Sequence, residues 1–318
     1  MRRRDFLLTA TGLGLAGCSR APAPRSRSLV SVTRAPAYSQ NIYDTVRRIL
    51  AEHKLQVRGR RVLLKPNLVE FEPGTTINTH PMLVHAAVEA FRGLGAKVAI
   101  AEGPGHRRGT LDLADAAGYF DIIPDFEDLF TDLNLDEVTR VRLPHPVSPF
   151  RSLYLPNTVL SSDLLVSMPK MKTHHWTGAT LSMKNLFGLV PGGVYGWPKN
   201  VLHWAGIHQS IADLHSLFPR HFSIVDGIVG MDGNGPIQGN PKPVGVLVAG
   251  RDPVAVDATC CRIMEIDPAR VWYLTLAGGL DGIAESNIQQ VGEPVESVAT
   301  RFELIPELQG LRSTQRPA

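Results

Sequence analysis

The chain has 318 residues, with 33 basic and 30 acidic side chains, a net charge of +3, 43% hydrophobic and 20% charged content. That composition suits a globular protein with chain enough for a real core, and it excludes collagen-like, coiled-coil and wholly disordered classes. So small and evenly spread a charge argues against nucleic acid as a partner. The 29 glycines and 24 prolines, 53 of 318 residues, promise many tight loops of the kind that carry chemistry.

At the start, Arg2-Arg3-Arg4-Asp5-Phe6-Leu7 precedes an apolar stretch, Leu7 to Gly17, that is too short and too rich in Gly and Thr to span a bilayer. It closes on Leu15-Ala16-Gly17-Cys18. The combination resembles a twin-arginine export signal ending in a lipoprotein box. It implies a signal peptide over residues 1–17, a lipid on Cys18, and a protein exported to the periplasm or cell surface and anchored to a membrane. Loss of residues 1–17 removes three Arg and one Asp and leaves a charge of +1, so the lipid rather than electrostatics would anchor the chain. Residues 18–40, rich in Ser, Pro and Arg up to Arg34, read as a tether, residues 41–310 as the folded domain, and 311–318 as a flexible tail.

Within the domain, Tyr43 to His53 has the spacing of an amphipathic helix, with Ile42, Val46, Ile49 and Leu50 on one face. Val62-Leu63-Leu64 is a short, wholly apolar strand of the buried parallel type. Pro81 to Arg92 is a helix with Pro in its first turn and Gly93 and Gly95 at its end, and Lys97 to Ala101 is the next strand. Residues 120–156, acidic and Pro-dotted, fit less well and read as an insertion or small subdomain. Further strands are expected over Asp163–Ser167, His221–Val229 and Val244–Ala249. Helices are expected over Ala179–Phe187, Ile207–Phe218, Val254–Met264 and Val271–Ala277. Adjacent Cys260 and Cys261 fall in one of these helices, where a mutual disulfide is geometrically awkward. With no CxxC, no iron–sulfur cluster is expected on this chain. The alternation predicts an α/β fold: a layered, largely parallel sheet flanked by helices.

In such sheets ligands bind at the carboxyl ends of the strands. The polar residues collect there: Lys65-Pro66-Asn67, Glu102 with Gly103 to His106, Lys170-Met171-Lys172-Thr173-His174-His175, Asp226-Gly227, and Asp252 with Asp257. Lysines against apolar segments suggest an anion site for phosphate or carboxylate. Lys65, Asn67, Lys170, Lys172 and Asn185 are its candidate ligand-binding residues, together with Gly233 and Gly235, whose turn could bring backbone N–H groups close. His174 and Asp226 are the candidates for proton transfer, and Lys184 for a nucleophile if burial lowers its pKa. Glu102, His203, His208, Asp232 and Asp257 are candidate metal ligands, although His203 and His208 need a helix break at Gly206 to converge. Asp232-Gly233-Asn234-Gly235 lacks the Glu a calcium loop needs at position twelve, where Pro243 stands.

Several stretches together resemble the DUF362 family of uncharacterised bacterial and archaeal proteins: Val62 to Asn67, Ala101 to Gly105, Ser167 to His174, Ser182 to Gly188, Asp226 to Gly233, and Asp252 to Asp257. The resemblance spans about residues 60–280 and implies a site without naming its reaction. Some members carry ferredoxin-like segments, whose Cys motifs are missing here. The expectation is therefore an exported, lipid-anchored enzyme acting on an anionic small molecule, with a metal ion or phosphate-bearing nucleotide cofactor admitted. Its rivals are a non-catalytic anion- or metal-binding lipoprotein and an accessory protein to a membrane redox or assembly partner, for which Gly192 to Trp197 offers an apolar patch or lid.

Overall fold

The computed structural model describes residues 27–105, 109–218 and 221–312. Residues 1–26, where the export signal and lipidated Cys18 are expected, His106 and residues 313–318 lie outside them. Twelve strands are found among the described residues: β1 Ser28–Arg34, β2 Arg61–Pro66, β3 Lys97–Glu102, β4 Phe130–Asp132, β5 Val138–Arg142, β6 Ser152–Pro156, β7 Leu164–Met168, β8 Lys170–His174, β9 Gly178–Thr180, β10 Phe222–Asn234, β11 Gln238–Gly250 and β12 Ile288–Gly292. The main sheet runs β12-β1-β11-β10-β7-β2-β3-β4, with β8 against β10 and β9 against β8. The pairs β1/β12, β10/β7, β7/β2, β2/β3 and β3/β4 are parallel, whereas β11 is antiparallel to both of its neighbours.

The apolar runs of the central strands are buried on both faces, as a helix-covered parallel sheet requires. Successive residues point to opposite sides. Val62, Leu64, Ile100, Val166 and Leu247 join one core with the helices Asn41–Glu52 and Pro81–Gly93. Leu63, Ala101, Leu165, Val246 and Val248 join the other, beneath Ile207–Ser216, Pro253–Ile263 and Trp272–Ile283. The α/β expectation holds, and most helices stand within a few residues of where periodicity placed them.

Four expectations change. Ser28–Arg34, read as tether, is β1, hydrogen-bonded between β11 and β12, and its Val30 and Val32 are core residues. Lys170–His174, expected only as polar residues following the end of a strand, is itself a wholly buried strand. Ala179–Phe187 is not one helix: Gly178–Thr180 pairs with β8, and only Ser182–Asn185 is α-helical before a 3-10 turn over Leu186–Leu189. At the far end Arg312, placed in the tail, donates to the carbonyls of Glu265 and Phe302. The irregular segment resolves into short helices, the edge strand β4 and the separate β5–β6 hairpin.

Candidate functional site

β10 is long enough to pair first with β7 and then, past Pro169, with β8. The period-two alternation of β8 sends Lys170, Lys172 and His174 to one side. Together with Lys65 at the end of β2, Glu102 at the end of β3 and Lys184 on the short helix, this gathers cationic side chains above the parallel rim.

Two of these lysines are matched by carboxylates. Lys65 Nζ lies 2.5 Å from Glu102 and also donates to the Pro66 carbonyl and Asn185 Oδ1. Glu102 accepts further from the backbone N–H groups of Leu68 and Gly103. Lys170 Nζ lies 2.6 Å from Asp226, which also accepts from Tyr38 Oη at 2.8 Å and the His80 N–H at 3.0 Å. Such buried pairs persist because each charge is answered and hydrogen-bonded.

Three others have no carboxylate within ion-pair distance among the described residues. Lys172 Nζ donates only to the carbonyls of Ile77 (2.9 Å) and Pro236 (3.2 Å). Lys199 donates to the carbonyls of Gly103 and Phe187. Lys184 Nζ sits 3.9 Å from the centroid of the Phe187 ring, a cation–π contact, without a hydrogen bond to the described residues. Burial and then the nearby Lys65 bring Lys184 down to about 7, against the pull of Glu102. Burial brings Lys199 down to about 7 as well, and Lys172 is lowered further by burial, Lys170 and Lys184.

These lysines line a cavity of about 210 Å3, shared with His174, His175 and His203. Two buried polar atoms in its wall, Asn67 Oδ1 and Thr180 Oγ1, have no partner. Buried polar atoms are ordinarily satisfied, so orphans in a cavity wall are places for a ligand. The histidines have their tautomers set by the backbone. His174 Nδ1 accepts from the Trp176 N–H at 3.1 Å, so its proton is on Nε2. His175 Nδ1 meets the Gly235 carbonyl at 2.8 Å and His203 Nδ1 the Lys199 carbonyl at 3.0 Å, leaving an acceptor lone pair on each Nε2. Burial and the surrounding cations hold His174 well below 6.5 and His203 at about 4, so both imidazoles are neutral at pH 7.

The structure brings Lys65, Asn67, Glu102, Lys172, His174, Lys184, Asn185 and His203 to this cavity and leaves the other expected residues elsewhere. Lys170 and Asp226 pair with each other and are not in its wall. Asn185 is in the wall but spends its amide on Lys65 and Ser167. Gly233 (φ +78°) and Gly235 are not in the wall: the Gly233 N–H donates to the Glu303 carbonyl, the two glycine carbonyls accept from Thr173 and His175, and a Cβ on Gly235 would stand 2.1 Å from the Thr173 carbonyl oxygen. The metal set does not converge. Asp232 pairs with Lys242 at 3.2 Å and the Glu303 N–H. His208 packs on Trp272 and Tyr273. Asp257 caps the Lys184 helix through Ser182 and Met183 N–H, its carboxyl raised by burial to about 8. Among the described residues no three His, Cys, Asp or Glu side chains stand together as a metal site would need. Lys199 and His175 also line the cavity and were not among the expected site residues.

The chain belongs to the family described as "Domain of unknown function (DUF362)", which it matches over residues 62–262. It is 30% identical over 260 residues to a thylakoid-associated protein of Synechocystis sp., an alignment covering 79% of this chain and 77% of that protein. Among solved structures, the lactate racemase apoprotein of Thermoanaerobacterium thermosaccharolyticum aligns over 76% of this chain at 14% identity and a TM-score of 0.46; the chain spans 58% of that protein's length.

Proposed function

We propose that this DUF362 protein is an enzyme that holds a small phosphate- or carboxylate-bearing molecule in the lysine-lined cavity and moves a proton on it. The observation that carries this reading is the facing of Lys172, Lys184 and Lys199 into one cavity with no carboxylate of their own. Buried charge without a counter-charge is costly, and an incoming anion supplies what the protein omits. Asn67 and Thr180 would complete the polar contacts. The Nε2–H of His174 is then the proton donor, and the Nε2 lone pair of His175 or His203 the acceptor, each held in register by a backbone hydrogen bond. The Lys65–Glu102 pair, locked by Asn185, fixes the cavity floor. A nucleotide or other phosphate-bearing cofactor is one form the anion could take. The residues over 1–18 support a second part of the proposal: that the enzyme is exported and held to a membrane by lipid on Cys18.

The test pairs calorimetry with isotope exchange. Inorganic phosphate and a panel of phosphorylated and carboxylated metabolites are titrated into the protein, and wash-in of solvent deuterium is followed by NMR. Lys184→Met should weaken anion binding by roughly tenfold or more, as the loss of one charge-assisted contact does. His174→Ala should keep binding and abolish exchange. Binding without exchange of any member would leave a capture lipoprotein, and no anion binding would defeat the reading altogether.

A further inference from the structure

All four tryptophans of the chain, Trp176, Trp197, Trp204 and Trp272, are at least 37% exposed, whereas tryptophan is on average a highly buried residue. One of them stands in the cavity wall, and two others adjoin wall residues in sequence. Trp176, 57% exposed, is in its wall. Trp204, 80% exposed, lies on the helix Asn200–Trp204 four residues after Asn200 and one after His203, both of which line the cavity, so it shares the face of Asn200. Trp197 precedes Pro198 and Lys199, which are also in the wall. The Trp176 ring is braced by His175 at 4.8 Å and His203 at 5.3 Å, both steeply inclined to it. A large apolar ring is thus fixed in orientation and left facing water beside buried lysines.

A lone oxyanion would satisfy the lysines and leave the tryptophans wet. We infer that the ligand of the proposed anion site is amphipathic, with its charged head among Lys172, Lys184 and Lys199 and a flat ring laid on Trp176 at the mouth towards Trp204. A ring fits better than an acyl chain for two reasons. A braced indole rewards a second plane by offset or edge stacking. The cavity, about 210 Å3, is below the roughly 300–1,000 Å3 of pockets that enclose drug-sized ligands, so an extended chain has little room to lie inside it. Phe187, Pro198 and Ile237 supply the apolar wall between head and mouth.

This inference rests on the anion-site reading, and three probes separate the two: inorganic phosphate, phenyl phosphate and hexyl phosphate, the last two matched in carbon number. Each is titrated by calorimetry against the full chain and the variants Trp176→Ala and Trp176→Phe. Phenyl phosphate should bind about three- to tenfold more tightly than either of the others. That advantage should vanish in Trp176→Ala and largely persist in Trp176→Phe, which also guards against an alanine variant that fails to fold. If phosphate binds and the phenyl group adds nothing, or the hexyl ester binds as well as the phenyl, the ring inference is wrong and the anion site stands. If none of the three binds, the anion site itself is wrong.

Discussion

Two kinds of buried lysine lie side by side in this protein. Lys65 and Lys170 are each within 2.6 Å of a carboxylate and belong to saturated hydrogen-bond knots. Among the described residues Lys172 and Lys199 donate to carbonyls, Lys184 sits over a ring, and none of the three is paired with a carboxylate. The first kind is complete without a ligand, and so is architecture. The second lacks that carboxylate, and under the proposed function an incoming anion takes its place and favours the charged amine.

The largest expected effect comes from breaking the complete kind. Asp226→Asn strands Lys170 in a site with no exposure and should cost about 3–5 kcal/mol of stability in urea unfolding. A loss below about 1 kcal/mol would show that the pair is not what holds Lys170 in place. Next, Lys184→Met, which loses anion affinity in the test above, should change stability by no more than about 1 kcal/mol, because it removes one cation–π contact and no hydrogen bond. Equal destabilisation by the two substitutions would erase the distinction. The smallest effect is in the pH profile. Lys184 and Lys199, brought to about 7 from 10.5, bind fewer protons folded than unfolded between those values. The ligand-free fold should therefore gain stability as pH rises from 7 towards 10.5, while anion affinity falls as pH rises through 7 and the lysines lose charge. Affinity that is flat from pH 6 to 9 would show that these amines do not meet the anion.

Much of this was legible in the residues. Apolar triplets such as Val62-Leu63-Leu64 can be little other than buried strand, and the helix over Asn41–Glu52 follows from its spacing. What misled was polarity in a strand. Lys170-Met171-Lys172-Thr173-His174 alternates with a period of two, yet its charge does not suggest a buried strand, and only long-range partners such as Asp226 and the Ile77 carbonyl show how it is buried. β1 was hidden by its neighbours: Leu29-Val30-Ser31-Val32 is good strand sequence following a Ser/Pro/Arg stretch. Lys199, in Trp197-Pro198-Lys199-Asn200, has no local mark of burial, because the carbonyls that hold it come from Gly103 and Phe187. Asp226, Asp232, His208 and Asp257 lie apart from the cavity for a related reason: strand-end position brings side chains near one rim without saying which are already paired. The reversed course of β11 also takes Asp252 to the opposite rim.

The placement of β1 bears on how the molecule would stand on a bilayer. β1 runs in the same direction as β2 and β10, so Ser28 enters the sheet at the edge opposite the one where Lys65 leaves β2. Under the proposed lipidation, nine residues separate Cys18 from Ser28, ten Cα-to-Cα steps with a contour of at most ~36 Å. The thirteen-residue β10, about 43 Å at strand rise, stands between that attachment and the His175–Trp176 end of the cavity. Such a protein is moored by its base with its mouth turned outward, and it collects its ligand from the water above the membrane rather than from the lipid below.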